Sequence, residues 1–171
     1  MLGRLSFRLA AIIPAAILLL TSYRVYQAAT RPAPFDFNAD RPYRVERVID
    51  GDTLIVEGGH RIRLLGVNTP ETKHPTKPVE ALGAEASEFT RNFVRGGEVQ
   101  LQFDRERRDA AHRVLAYVSV DGRVLNEELI RAGFSRAETR FPYSESMKRR
   151  FQKIEEEART AHRGIWAPAA P

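Results

Sequence analysis

Between residues 43 and 67 three short apolar runs are separated only by Asp50-Gly51 and by Gly58-Gly59. An Asp-Gly pair between β-rich runs is a strong hairpin signal, because a tight turn needs residues that tolerate positive φ. The pattern predicts strands at 43–50, 53–57 and 60–67. One charged residue, Arg63, interrupts the third run, and an arginine inside an apolar strand is costly unless it is paired. The strand stops at Asn68, Thr69 and Pro70, since proline fixes φ and offers no N–H to a ladder. Glu71 follows at once. Arg63, Asn68 and Glu71 are therefore expected on or beside the end of one strand, where a cation, a base and a phosphate could meet.

The rest of the chain alternates in a compatible way. Leu82, Ala86, Phe89 and Phe93 recur at helical spacing, and Gly96-Gly97 ends that helix. Residues 98–103 alternate as a fourth strand, 104–112 form a charged loop, and 113–120 form a fifth strand. Asn126 is expected to cap a short helix that reaches Ala132, with Gly133 beyond it. Met147, Phe151, Ile154, Ala158 and Ala161 predict a last helix at 146–162, ended by Gly164, with Ile165 and Trp166 packing back on the barrel. Residues 72–79, with lysines and prolines, read as a surface loop. Five short strands, one helix before the fourth and helices after the fifth fit an α+β chain, mainly β: a five-stranded OB-fold barrel with about three helices.

This domain, residues 43–167, is preceded by something different. Arg4 and Arg8 come before an unbroken apolar run at 9–20. A basic start and a run of that length resemble an export signal, whereas a membrane span takes roughly 20 residues. Residues 21–29, which include Arg24, can extend the segment. A cleaved signal and an uncleaved anchor both remain open for residues 1–29. Either way the arginines favour N-inside, leaving the domain outside the cytoplasm, secreted or held to the membrane. Residues 30–42 carry three prolines and read as a linker. There are no cysteines, which excludes a disulfide framework and a thiolate metal site. Net charge is +5, but the first 30 residues hold three arginines and no acid. Global charge is thus a poor argument for a nucleic-acid partner, and local clusters must carry it.

D-G-D-T at 50–53 and R-L-L-G-V-N-T-P-E-T at 63–72 are followed in order by four more motifs. These are L-G-A-E-A-S at 82–87, R-V-L-A-Y-V at 113–118, L-N-E-E-L-I-R-A-G at 125–133 and R-G-I-W at 163–166. Together they resemble the thermonuclease, or staphylococcal-nuclease-like, family. That resemblance implies a monomeric, Ca²⁺-dependent nuclease cutting DNA, RNA or both and leaving 3′-phosphates. Hard oxygen ligands from two strands suit Ca²⁺. Asp52 and Asn68 match two calcium-binding aspartates of the family, helped by the backbone carbonyl at Thr69. Glu71 matches the residue assigned to take the proton of the attacking water. Arg63 and Arg113 match the phosphate clamps, whose planar N–H forks fit phosphate geometry.

The chain also departs from the family. Asn68 brings no formal charge to the metal site. The family's D-x-Y-G-R reads D-A-A-H-R here, with Ala111 and His112 in place of tyrosine and glycine, and Thr139 and Phe141 replace two further tyrosines. Substrate contacts are expected from Arg108, from His112 as a replacement donor or else a plain loop histidine, and from Phe141 as a base-stacking ring or else a core residue. Asn68, Ala110 and Ala111 keep a second reading open, a weak or inactive OB-fold module that binds nucleic acid.

Overall fold

The computed structural model describes residue 17 and residues 20–24, 37–71 and 81–168. The chain divides into Met1–Phe37 and Asn38–Pro171. Of the first unit, Ile17 and residues 20–24 are helical. Most of the expected signal or anchor and most of the linker lie outside the described residues, as does the expected loop at 72–79. Among the described residues no helix is long and apolar enough to cross a membrane.

The second unit is built on β1 (Pro42–Asp50), β2 (Thr53–Val56), β3 (His60–Leu64), β4 (Val67–Asn68), β5 (Glu98–Gln102), β6 (Val114–Val120), β7 (Arg123–Val124) and β8 (Arg136–Ala137). Three helices accompany them: α1 (Gly83–Phe93), α2 (Leu125–Arg131) and α3 (Glu145–Thr160). β1 pairs antiparallel with both β2 and β5, β2 with β3, and β5 with β6, while β3 meets β6 in parallel. That last pairing closes five strands into the expected OB-type barrel. Register shifts in β1 between Val45 and Arg47 and between Val48 and Asp50 bend it, so that one strand serves two neighbours. Inside, Leu54, Val56, Ile62, Val118, Leu129 and Phe151 are fully buried, the apolar area that drives closure.

Two local expectations are corrected. The third run does not continue to Val67. β3 ends at Leu64, and Gly66 turns the chain with φ +71. A Cβ on Gly66 would lie 2.6 Å from the Phe151 ring, so the turn needs glycine for space as well as for φ. Val67 and Asn68 then start a separate ladder, opposite Ala137 and Arg136 of β8. Asn126 is not a helix cap. α2 starts one residue earlier with no side-chain cap. The Asn126 side chain is fully buried instead: its Oδ1 accepts from Val118 N–H at 3.0 Å and its amide donates to Leu65 O at 2.8 Å. It ties the turn after β3 to β6, because a buried amide must spend its groups on whatever backbone is unpaired nearby.

Candidate active site

The β1–β2 turn supplies the floor of the site. Asp52 is 5% exposed. Its Oδ1 accepts from the Thr53 hydroxyl at 3.0 Å and its Oδ2 from Thr69 N–H at 2.9 Å. Helix α1 wedges this turn through small side chains on one face. Thr90 Oγ1 donates to Gly51 O at 2.6 Å. A Cβ on Gly51 would lie 2.7 Å from Thr69 Oγ1 and 2.9 Å from Ala86 Cβ. A Cβ on Gly83 would lie 3.0 Å from both Pro70 O and Glu71 O. Gly83, Ala86 and Thr90 thus let the helix approach closely enough to fix both Asp52 and the backbone of Glu71.

Arg63 reaches this floor from β3. Its Nη1 donates to Leu64 O at 2.9 Å and Val67 O at 2.8 Å, spanning the turn at Gly66. Its Nη2 donates to Asn68 Oδ1 at 2.9 Å and lies 3.1 Å from Asp52 Oδ2. The side chain is 13% exposed, so burial is offset by carbonyls on one nitrogen and by an amide and a carboxylate on the other. The apolar run tolerates its arginine for that reason. The sequence reading had no role for Asp50. It lies beside Asp52, accepting from Asp52 N–H at 3.3 Å. Burial first, then the neighbouring Asp52 carboxylate, push its pKa up to about 6.

Asp50, Asp52, Thr53, Arg63, Asn68, Thr69, Glu71 and Arg113 line one cavity of about 140 Å³. Two acidic side chains sharing a floor suit a hard divalent cation. The donor set is lean: among the described residues no group of three or more His, Cys, Asp or Glu side chains is placed to hold a metal. Any ion here leans on neutral oxygens for part of its shell.

The opposite wall is the loop before β6. Arg113 Nε donates to Asp109 Oδ2 at 2.6 Å, and Asp109 Oδ1 accepts from the backbone N–H of Ala111 and of Arg113. Desolvation raises the Asp109 pKa, yet the bonds from Arg113 outweigh it and the net shift is downward. A second cavity of about 460 Å³ shares Arg63 and Arg113 with the first. Leu64, Leu65, Val67, Ala110, Ala111, Leu115 and Pro142 make it mostly apolar. Arg108 and Phe141 also line it, and Phe141 is 56% exposed, so it is not a core residue. His112 is absent from both linings and exposed, on backbone of φ +61 that turns the loop. The structure therefore brings Asp52, Arg63, Asn68, Thr69, Glu71 and Arg113 together, sets Arg108 and Phe141 beside them, and leaves His112 out.

Comparison with known proteins points the same way. The family model for staphylococcal nuclease homologues matches residues 61–168. A thermonuclease of Staphylococcus hyicus is 35% identical over 164 residues, which cover 91% of this chain and 94% of that protein. A thermonuclease of Staphylococcus intermedius is 38% identical over 127 residues, 72% of this chain and 75% of that protein. Endonuclease YncB of Bacillus subtilis is 37% identical over 127 residues, 72% of this chain and 60% of that protein.

Proposed function

The chain belongs to the staphylococcal nuclease family and is a nuclease, and from that premise we propose that it hydrolyses DNA or RNA phosphodiesters with Ca²⁺, using Glu71, Arg63 and Arg113. One observation carries the reading. The two arginines, Glu71 and the Asp50–Asp52 pair line a single small cavity, and the same two arginines border an apolar cavity wide enough for a nucleoside.

The scissile phosphate sits between Arg63 and Arg113, and its nucleoside lies along Phe141 and the leucines, where stacking is tolerant of base identity. Arg108 neutralises an adjacent phosphate. Arg63 Nη2 turns to the phosphate by exchanging the Asp52 and Asn68 oxygens for phosphate oxygens. Water attacks phosphorus in line, and Glu71 takes the proton it loses. The bond to the 5′-oxygen breaks, that oxygen takes a proton from solvent, and a 3′-phosphate remains. Negative charge growing on the non-bridging oxygens meets two guanidinium forks already held in place. Ca²⁺, held by oxygens of Asp50, Asp52, Asn68 and Thr69, would supply charge neutralisation and a lowered water pKa. The basic start and the apolar run at 9–20 support action outside the cytoplasm.

The test is an assay of the purified chain on single-stranded DNA and on RNA, with millimolar Ca²⁺ and with excess chelator. Products ending in 3′-phosphate that form only with Ca²⁺ are expected. Undiminished cleavage in chelator removes the metal from the mechanism, and no cleavage of either substrate overturns the reading.

A further inference from the structure

Outside the cavities, one pair of arginines is held in an unusual way. The guanidinium carbons of Arg136 and Arg159 lie 4.7 Å and 4.5 Å from the centroid of the same Trp166 ring. The ring itself is anchored. Ile165 N–H donates to Gly133 O at 2.8 Å, and a Cβ on Gly133 would lie 2.1 Å from Arg163 O, so this turn and the end of α2 meet backbone to backbone. Neither Arg136 nor Arg159 pairs with a carboxylate among the described residues. Neighbouring arginines do: Arg131 bonds Glu128 and Arg140 bonds Glu138. Both side chains are exposed, a guanidinium stacked on a ring keeps its in-plane N–H donors for another partner, and an anion fills such donors.

The place of the pair identifies the anion. Arg136 is the direct ladder partner of Asn68, whose Oδ1 contacts Arg63. Directly opposed residues of an antiparallel pair project on the same face, so Arg136 leaves the ladder on the face from which Asn68 projects, while its guanidinium lies over Trp166, outside the lining of both cavities. We propose that Arg136 and Arg159, laid on Trp166, form a second phosphate-binding site that takes a phosphodiester of the same nucleic-acid strand, beyond the bond being cut. This rests on the nuclease reading and adds that the enzyme holds a polynucleotide, not an isolated nucleotide. The stacked guanidiniums are pre-ordered, so little side-chain entropy is lost when phosphate arrives.

The experiment is fluorescence anisotropy of a labelled twelve-residue oligothymidylate and of a dinucleotide, in chelator so that nothing is cut, over a range of salt. Each phosphate contact to a single strand adds about 0.7 to the slope of log affinity against log salt. The R136Q/R159Q double variant is expected to flatten the twelve-mer slope by about 1.4, to weaken its binding roughly 10-fold or more at low salt, and to change dinucleotide binding little. R136K/R159K keeps the charges and should restore most of the slope. A thermal melt by circular dichroism checks the fold of each variant, and if the glutamine pair does not fold, the single variants are read the same way. An unchanged slope, or equal losses on both probes, overturns the proposal. If the natural protein cuts and binds the twelve-mer while the variants match it, only this inference fails. If the natural protein neither cuts nor binds, the nuclease reading fails with it.

Discussion

The two walls of the scissile cavity are built on opposite principles. On the floor, Asp50 and Asp52 share a buried turn, and the proton affinity of Asp50 rises because its nearest neighbour is another acid. On the loop, Asp109 meets Arg113 and its proton affinity falls. The floor is short of positive charge and rigid, pinned by α1 and by four bonds from Arg63. The loop is balanced in charge, partly exposed, and held by one aspartate. Charge deficiency in a rigid place suits a cation, whereas a tethered arginine on a loop suits a ligand that arrives and leaves. If this contrast is right, variants on the two walls should separate chemistry, stability and binding.

The largest effect is expected at Glu71, whose backbone is held against Gly83 on the floor side. Glu71→Gln keeps the shape and removes the proton acceptor. Turnover on a single-stranded oligonucleotide should fall by about 10²–10⁴-fold with little change in KM. An unaltered turnover number would remove Glu71 from the mechanism.

Next come the two arginines, where the contrast is sharpest. Arg63→Lys and Arg113→Lys each keep the charge and lose the planar fork, and each should lower turnover by roughly 10²-fold. Their stabilities should diverge. Arg63 gives up bonds to Leu64 O, Val67 O and Asn68 Oδ1 in a site that is largely closed to water, a loss of about 2–4 kcal/mol. Arg113 is 32% exposed and gives up chiefly its pair with Asp109, less than about 1 kcal/mol. Urea midpoints of both variants measure this. Equal destabilisation would mean that the two walls are not built differently.

How much of this was legible beforehand depends on whether a residue's partner is near in sequence. Arg63 stood out because a charge in an apolar run demands partners, and the partners exist. Asp52, Glu71 and Arg113 were found by matching motifs, and they share a cavity. Asp50 reads only as the end of a strand, because nothing local says that its carboxyl lies beside another. The break at Gly66 is invisible in the sequence because six apolar-rich residues read the same whether or not a glycine turns them. Asn126 reads as a cap because asparagine before a helix has that local use; its partners Leu65 and Val118 come from folding. β4 and β8 are two residues each, too short to carry any period. His112 stands where the family motif has glycine, and its φ of +61 is the backbone a glycine would favour there. Gly83, Ala86 and Thr90 look like helix filler until the turn they support is seen.

The smallest effect, on stability alone, tests the charge deficiency of the floor directly. The folded-state pKa of Asp50, about 6, stands above its ordinary value of 3.8, so the metal-free folded protein holds that proton more tightly than the unfolded chain does. Stability from this group is whole below about pH 3.8 and is lost as pH rises through 6. The shift would be worth about 3 kcal/mol at full burial, and screening at a partly open cavity reduces it to ~1 kcal/mol. In chelator, the melting temperature should therefore carry a component that falls by about 4 °C between pH 4 and pH 7. His60 works against it, since burial and Arg108 lower its pKa and stability from that group grows as pH rises through 6.5. The Asp109 contribution changes only below pH 3.8. Asp50→Asn isolates the term, because it abolishes the component due to Asp50 and leaves those of His60 and Asp109. A cation on the floor competes with the same proton, so millimolar Ca²⁺ at pH 7 should raise the melting temperature of the natural protein and should raise that of Asp50→Asn less. If the variant keeps the natural pH profile in chelator and gains as much from Ca²⁺, the two acids do not share the floor and the contrast between the walls collapses.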